Sequence, residues 1–239
     1  ADPVYNAQVI CEQAKEAAEH GAKIVVFPEL CITGYTCNDL FLQELLLEKA
    51  KEALLTIAEE TGQLETLFLV GLPVDKDGRL YNVAAVLYRG RILGMIPKKN
   101  IPMYAEFYEG RHFTPGEETV TEYRLGKQVI PFGSNLLFRC EELPELILGC
   151  ELCEDLWVAE PPSTSHALMG ATVIANLSAS NETVSKDDYR TLLIKASSAR
   201  LLCGYIYTSA GEGESTQDLV FGGHDLIAEN GTLLVQSAR

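Results

Sequence analysis

Three side chains in this sequence have the means for covalent chemistry between them. Residues 146–157 read LILGCELCEDLW, an apolar run that leads three residues past Cys150 to Cys153, with Glu154 and Asp155 behind it. A run of this kind beside β-formers reads as a buried strand. Cys153 is then expected where the strand gives way to a turn, pointing opposite Cys150 by strand alternation, on a rigid support whose end is open to a substrate. Glu29 follows a second short apolar run, KIVVF at residues 23–27, and Lys98 follows a third at residues 92–96. Each is ambiguous alone. Free cysteine usually packs as a small hydrophobe. A carboxylate past a strand end is a solvated turn residue about as often as a site residue, and a lone lysine there is most often a surface charge. As a set they make sense together. A thiolate needs a base to form it and a cation to hold it. Glu29 can take the proton, Lys98 can stabilise the thiolate and a developing oxyanion, and backbone N–H groups in the turn after Cys153 are natural oxyanion donors. Such a set performs acyl transfer from an amide or a nitrile.

Competing chemistries have less support. Cys150 and Cys153 form a CxxC, but there is no second pair, and His20, His112, His166 and His224 are scattered. A zinc site needs either. A redox CxxC normally opens a helix, whereas Cys150 lies inside the apolar run; Cys31 and Cys37 have the same weak claim. A Cys–His pair is possible in principle, with His166 and His224 as the open candidates. No GxGxxG or phosphate loop is present, and the GEGE at residues 211–214 carries two carboxylates that disfavour a phosphate.

The elements that must carry these residues read as strands facing strands with helices outside. Residues 7–20 place Val9, Ile10, Ala14, Ala17 and Ala18 on one stripe, an amphipathic helix with Gly21 as its C-cap. Residues 38–60 read as one helix with Asn38 as N-cap and Leu42, Leu46, Ala50, Ala53 and Ile57 facing the core. Strands are expected at residues 66–72, 81–88, 92–96, 135–139, 172–175 and 204–208, and helices at 163–170 and 186–202. Arg89-Gly90-Arg91 is a hairpin turn, and Asn230-Gly231 closes a hairpin over residues 222–236. Consecutive strands on tight turns imply antiparallel pairing, so the chain is not a pure βαβ protein. A long Pro- and aromatic-rich loop runs from Lys98 to about Gly116, and residues 176–181 form a polar loop.

The bulk numbers set limits. The 239 residues are 47% hydrophobic and 22% charged, ordinary for a globular chain, and are read as one domain. A formal net charge of −15 argues against a nucleic-acid surface. No apolar run approaches the ~20 residues of a membrane helix, and no signal peptide is visible. The odd count of 7 cysteines in a chain of this size does not read as a disulfide framework. A reduced, cytoplasmic setting is expected. The chain starts without Met and stops after a strand-like run, so it is expected to be a fragment.

At these residues the chain resembles the nitrilase, or carbon–nitrogen hydrolase, superfamily. FPE at Glu29, IPK at Lys98 and CED at Cys153 match its Glu–Lys–Cys triad. The resemblance is closer still to the glutaminase domains of glutamine-dependent NAD synthetases. FPELCITGY, PKKNIPMYAEFYEGRHF, CEDLW, NLSAS and AGEGESTQDLVFGGH occur in family order from Phe27 to His224. The resemblance implies an α/β fold, a four-layer αββα sandwich with two mixed sheets. It implies a single hydrolase domain over residues 1–239, truncated at both ends, lacking most of a first strand and the whole of a C-terminal synthetase domain. Glu29 resembles the general base, Cys153 the nucleophile and Lys98 the oxyanion-side cation. Glu109 matches a carboxylate that orients lysine and substrate, and Tyr35 and Tyr104 match aromatics lining a glutamine pocket. Glu154, Ser180 and Lys186 match positions holding the substrate's amide and amino-acid ends. The family often has Arg where this chain has Lys186, which removes a bidentate grip on the α-carboxylate. Trp157 is read as packing beneath the turn.

The activity implied is hydrolysis of L-glutamine to glutamate and ammonia through a γ-glutamyl thioester. The ammonia would serve a synthetase domain of the same polypeptide that amidates nicotinic acid adenine dinucleotide to NAD. No cofactor is implied for this domain; ATP and Mg²⁺ go with the synthetase domain. A homo-oligomer is implied, with no nucleic-acid or membrane partner. Two alternatives stand beside this: a free-standing nitrilase-type amidase on another small amide, and a non-catalytic assembly module.

Overall fold

The computed structural model describes residues 1–216 and 218–238; Gln217, within the last of the family-like motifs, and Arg239 lie outside the described residues. Two six-stranded sheets lie face to face, and helices cover the outer face of each. The first sheet has the order β1 (Ile24–Val26), β2 (Leu67–Lys76), β3 (Arg79–Tyr88), β4 (Arg91–Pro97), β6 (Gln128–Phe132), β5 (Thr121–Leu125). The second has the order β12 (Thr232–Gln236), β11 (Leu226–Glu229), β10 (Gly204–Ser209), β9 (Val173–Ser178), β8 (Ile147–Leu152), β7 (Leu137–Arg139). Both are mixed. β1–β2, β8–β9 and β9–β10 are parallel, whereas β2–β3 and β3–β4 are antiparallel. The αββα expectation holds.

Side-chain alternation sorts the residues into layers. Phe68, Val70, Leu72 and Val74 of β2 face the helices α1 (Pro3–Glu19) and α2 (Glu44–Glu60), together with Val83, Ala85 and Leu87 of β3. Their neighbours Leu69, Ala84 and Val86 face inward and meet Leu148, Cys150 and Leu152 of β8 and Ala175 and Leu177 of β9. Cys150 is thus a fully buried member of the inter-sheet core, as its place in the apolar run suggested. Beyond the second sheet, Ile194 of α4 (Lys186–Leu201) packs on Ile174, Tyr205 and Tyr207. Helix α3 (Pro162–Leu168) crosses so close to β8 that a Cβ on Gly149 would lie 2.9 Å from His166 Nδ1.

Local chemistry sets the boundaries. The Asp2 carboxylate accepts the Tyr5 N–H (3.0 Å), Pro3 opens α1, and Gly21 past its end has φ +86°. Arg89-Gly90 and Asn230-Gly231 both take positive φ, the two-residue hairpin geometry read from their composition. Several expectations are corrected. Residues 38–60 are two helices: a 3₁₀ segment, Asn38–Leu42, then α2, separated by Gln43 in an extended conformation (ψ 118°). Asn38 has φ +47°, outside the usual Ncap conformation. Phe41 pins the break by burying in a cluster with Leu30, Leu46 and Phe113. The β5–β6 hairpin, turning at Gly126, is additional. β9 runs on to Ser178, so half of the expected polar loop is strand. α1 begins at Pro3, four residues before the reading from the apolar stripe.

Candidate active site

β1, β2 and β4 run in one direction in their sheet, and β8 and β9 run together in theirs. Residues just beyond their carboxyl ends are therefore gathered at shared edges of the sandwich, where α/β sheets place ligands. Glu29 follows β1, Lys98 follows β4, Cys153 follows β8 and Ala179 follows β9.

Lys98 is fully buried, and its Nζ lies 2.7 Å from Glu29 Oε1 and 2.6 Å from Glu109 Oε1. Burial works to lower the lysine's pKa, but the charges of Glu109 and Glu29 outweigh it, so the ammonium is held protonated well above the ordinary range. Glu29 is itself fully buried. Its Oε1 also accepts from Asn82 Nδ2 (2.7 Å) and its Oε2 from the Ala179 N–H (2.9 Å). The Glu29 N–H donates to Ser178 O (3.2 Å), which stitches one sheet's end to the other's. Glu109 accepts from the Tyr35 hydroxyl (2.8 Å); burial pushes its carboxyl up, and Lys98 counters this.

Gly71 allows this placement. A Cβ there would sit 2.3 Å from Leu30 N, 2.8 Å from Pro28 O and 2.9 Å from Glu29 C. The backbone carrying Glu29 thus lies directly on β2, and only glycine leaves it room.

Cys153 is not placed by strand alternation, which corrects the expectation that it points opposite Cys150 along one strand. β8 ends at Leu152, and Cys153 opens a 3₁₀ turn, Cys153–Leu156, with φ +42°. A non-glycine residue rarely adopts this conformation unless its surroundings impose it. Two side chains hold it. Asn176 Oδ1 accepts the Cys153 N–H (3.2 Å), and Asp155 accepts the Leu152 N–H (3.0 Å) and the Asn100 N–H (2.7 Å). Asn176 is fixed in turn by Ser178 Oγ (2.7 Å) and by Tyr205 (3.3 Å), whose hydroxyl donates to the buried Glu151. Burial first, and then the Glu29 charge, push the Cys153 thiol well above its ordinary value; Lys98 and the Ala179 N–H oppose them. Burial and the Glu29 charge both favour the protonated thiol. Its alkylation by iodoacetamide, followed by peptide mass spectrometry, should accelerate with pH without a plateau below pH 9. A plateau near pH 6–7 would mean a resting thiolate.

The other expected residues lie around these. Tyr104, exposed, donates to Glu154 (2.9 Å). Ser180 is buried, with Oγ accepting from Arg190 Nη2 (3.2 Å). Lys186 Nζ lies over the rings of Trp157 (5.2 Å) and Phe107 (5.7 Å) and donates to Asn181; burial pulls its ammonium down. Trp157 therefore forms a wall for the Lys186 cation as well as packing. The guanidinium missing at position 186 appears one helical turn on, at the fully buried Arg190, which holds Ser180, Asn181 O (3.2 Å), Glu182 (2.7 Å) and His224 (2.9 Å). His166 is turned to Ser134 O (2.9 Å). Among the described residues no cluster of His, Cys, Asp or Glu could hold a metal ion. Asn82, Asn176, Glu151 and Arg190 were not expected at the site. The one sequence signal for them was a polar residue inside an apolar strand, which Asn82, Glu151 and Asn176 share.

The family model for the carbon-nitrogen hydrolase matches residues 1–238. The glutamine-dependent NAD(+) synthetases of Mycobacterium bovis and Mycobacterium tuberculosis are each 44% identical over 238 residues, covering 100% of this chain and 35% of the relative. The chain thus spans about a third of the length of these relatives. A glutamine-dependent NAD(+) synthetase from Cytophaga hutchinsonii superimposes with a TM-score of 0.88 at 30% identity, over 98% of this chain and 38% of that one. An amidase of the nitrilase superfamily from Nesterenkonia shares the fold, with a TM-score of 0.75 at 21% identity over 99% of this chain and 81% of that one. Sandwich, strand-end carboxylate, lysine and cysteine, and full-length family match agree: the chain belongs to the carbon–nitrogen hydrolase family.

Proposed function

We propose that this chain hydrolyses the γ-amide of L-glutamine with Cys153 as nucleophile, Glu29 as general base and Lys98 as oxyanion-side cation. One observation carries the reading: a fully buried lysine bridges Glu29 and Glu109 beside a cysteine held at φ +42° on a strand end. The named relatives, glutamine-dependent NAD(+) synthetases, support the choice of amide.

In the first half-reaction Glu29 takes the Cys153 proton while Sγ bonds to the amide carbon. Negative charge moves to the carbonyl oxygen, which Lys98 and the Glu154 N–H stabilise; one such donor is worth ~3–4 kcal/mol of barrier. Glu29 passes the proton to the amide nitrogen, the C–N bond breaks and ammonia leaves a γ-glutamyl thioester. In the second, Glu29 takes a proton from water as its oxygen attacks the thioester. Collapse expels the thiolate, Glu29 returns the proton to sulfur, and glutamate departs. Tyr35, Tyr104, Glu154, Ser180 and Lys186 frame the substrate in this reading, with Glu109 orienting the lysine.

The ammonia would pass to a synthetase domain of the same polypeptide that amidates nicotinic acid adenine dinucleotide. ATP and Mg²⁺ belong to that domain; the two carboxylates of residues 211–214 suit no phosphate, and no step above uses either. A homo-oligomer is supported by the exposed Leu168, Tyr189 and Leu192 on α3 and α4. A reducing, cytoplasmic setting is supported by the unpaired cysteines of the described residues; no described helix is long and apolar enough to cross a membrane.

The test is covalent. Incubated with 6-diazo-5-oxo-norleucine, the wild type should gain one adduct on the Cys153 peptide and lose glutamine-dependent ammonia release, and Cys153→Ala should gain none. Ammonia release without an adduct on Cys153, or an adduct on another cysteine that stops turnover, would refute the assignment.

A further inference from the structure

The loop at residues 211–216 lies far from the triad in sequence, yet its Glu214 carboxylate is inserted into the loop that carries Tyr35. Oε1 accepts the Tyr35 N–H (2.7 Å), and Oε2 accepts both the Thr36 N–H (3.0 Å) and the Thr36 hydroxyl (2.6 Å). The Ser215 N–H returns a bond to Thr36 Oγ1 (3.0 Å). Both loops are shaped for this meeting. Gly34 takes φ +92°, and a Cβ there would touch Glu214 at 3.5 Å. Gly211 lies against Gly223, where a Cβ would come within 2.9 Å of its Cα, so the base of the Glu214 loop is pinned.

Tyr35 is the link inward. Its ring meets Phe221 edge-on at 5.9 Å, and its hydroxyl donates to Glu109 Oε1, the same oxygen that lies 2.6 Å from Lys98 Nζ. A continuous run therefore joins Glu214 to the Tyr35 backbone, the Tyr35 hydroxyl, Glu109 and Lys98. A carboxylate taking three donors from two consecutive residues fixes that backbone more firmly than surface contact would, since charge-assisted hydrogen bonds are about twice as strong as neutral ones.

We propose that Glu214 is a positioning residue for catalysis: by clamping the Tyr35–Thr36 backbone it sets the Tyr35 hydroxyl on Glu109, and through Glu109 the place of the Lys98 ammonium. The proposal rests on the glutaminase reading above.

A positioning role predicts more than a loss of stability. In Glu214→Gln an amide NH₂ replaces one acceptor and opposes a donor, so the clamp opens while side-chain volume stays. kcat for ammonia release should fall roughly 10- to 100-fold, the scale of a displacement near 1 Å, with KM changed far less. The pH profile should move as well. Glu109 is faced by Lys98, Glu29, Asn82 and Tyr35. Burial already raises its carboxyl, and the Tyr35 hydroxyl is among the groups that hold it down. Losing that bond raises it further, so the acidic limb of kcat/KM should shift to higher pH. Tyr35→Phe should reproduce the shift, and Glu214→Gln placed in that background should add little, because both break one run.

The experiment measures kcat, KM and the pH profile for wild type, Glu214→Gln, Glu214→Asp, Tyr35→Phe and the Glu214→Gln/Tyr35→Phe pair, with adduct formation on Cys153 as a second readout. Complete labelling of all variants, partial rescue by Glu214→Asp and a non-additive pair would support the proposal. An unchanged kcat and acidic limb in Glu214→Gln, or losses that multiply in the pair, would overturn it with the glutaminase reading intact. A wild type that neither labels at Cys153 nor releases ammonia would overturn both.

Discussion

Lys98→Met is expected to destabilise the fold by ~3–5 kcal/mol at neutral pH, the usual result of removing one partner from a buried ionic cluster, and, with Lys98 as the proposed oxyanion-side cation, to lower ammonia release at least ~10²–10³-fold. Methionine nearly matches the lysine stem in volume, so a packing defect contributes little. The loss is electrostatic. Glu29 and Glu109 face the ammonium at 2.7 and 2.6 Å, and all three side chains are buried. Without the ammonium, two carboxylates face one another beside the neutral donors of Asn82, Tyr35 and the Ala179 N–H. Burial, and then the charge of Glu29 with no ammonium to counter it, hold the Glu109 carboxyl above its unfolded value. A carboxyl raised in this way contributes stability that is present at low pH and lost as pH rises through the folded value. The deficit against wild type should therefore be large at pH 8 and shrink toward pH 5. Urea unfolding at the two pH values checks this. A deficit below about 1 kcal/mol at pH 8, or one that grows on acidification, would contradict a charged hub. Adding Glu29→Gln and Glu109→Gln should restore much of the stability and none of the activity, which separates the ionic cost from the catalytic one.

What could be read from the sequence divides along a physical line. Features encoded by neighbouring residues were legible. The turns at Arg89-Gly90 and Asn230-Gly231 follow from the positive φ their residues tolerate. The strands before Glu29, Lys98 and Cys153 follow from apolar runs, and the convergence of these residues at strand ends needed only that those strands share a direction. Features encoded by distant partners were not legible. Nothing local ends a helix at Gln43, since residues 38–60 keep a helical stripe throughout; the break is set by Phe41 packing on Leu30 and Phe113. The backbone N–H of Cys153 is held by Asn176 on another strand, with the nearby Asp155 holding that of Leu152, so strand alternation gave the wrong reason for its orientation. Nothing beside Glu214 or Arg190 in the sequence tells either from a solvated charge; Tyr35 and Thr36, which Glu214 holds, and His224, which Arg190 meets, lie far along the chain. Glu29, Lys98 and Cys153 stood out because their chemistry is rare in combination; their supports are Asn, Glu, Tyr and Arg residues of ordinary appearance.

Gly71→Ala tests how far the triad depends on that hidden support, and the expected effect is larger than one methyl group suggests. The new Cβ would lie 2.3 Å from Leu30 N and within 3 Å of Pro28 O and Glu29 C. All three are backbone atoms, so no rotamer change relieves the contact. β2 cannot retreat, because its other side chains are interlocked with α1 and α2 and its backbone is paired with β1 and β3. The residues 28–30 must lift away instead. That movement breaks the bonds of Phe27 N–H to Leu69 O (2.9 Å) and Ile32 N–H to Gly71 O (3.0 Å), and it carries the Glu29 carboxylate off Ala179 and Lys98. Overpacking of this kind costs ~1–3 kcal/mol of stability, and a base displaced by about 1 Å costs ~10²-fold in rate. If Glu29 is the base as proposed, stability should fall moderately while kcat for ammonia release falls at least ~100-fold, and adduct formation on Cys153 should slow in step. Gly78→Ala is the control: that residue has open space around it but φ +74°, so alanine there costs backbone strain without touching the site. Equal loss of stability in the two variants with loss of activity confined to Gly71→Ala would assign the effect to the placement of Glu29. Normal turnover in Gly71→Ala would show that Glu29 does not need its position on β2, and would remove it as the base.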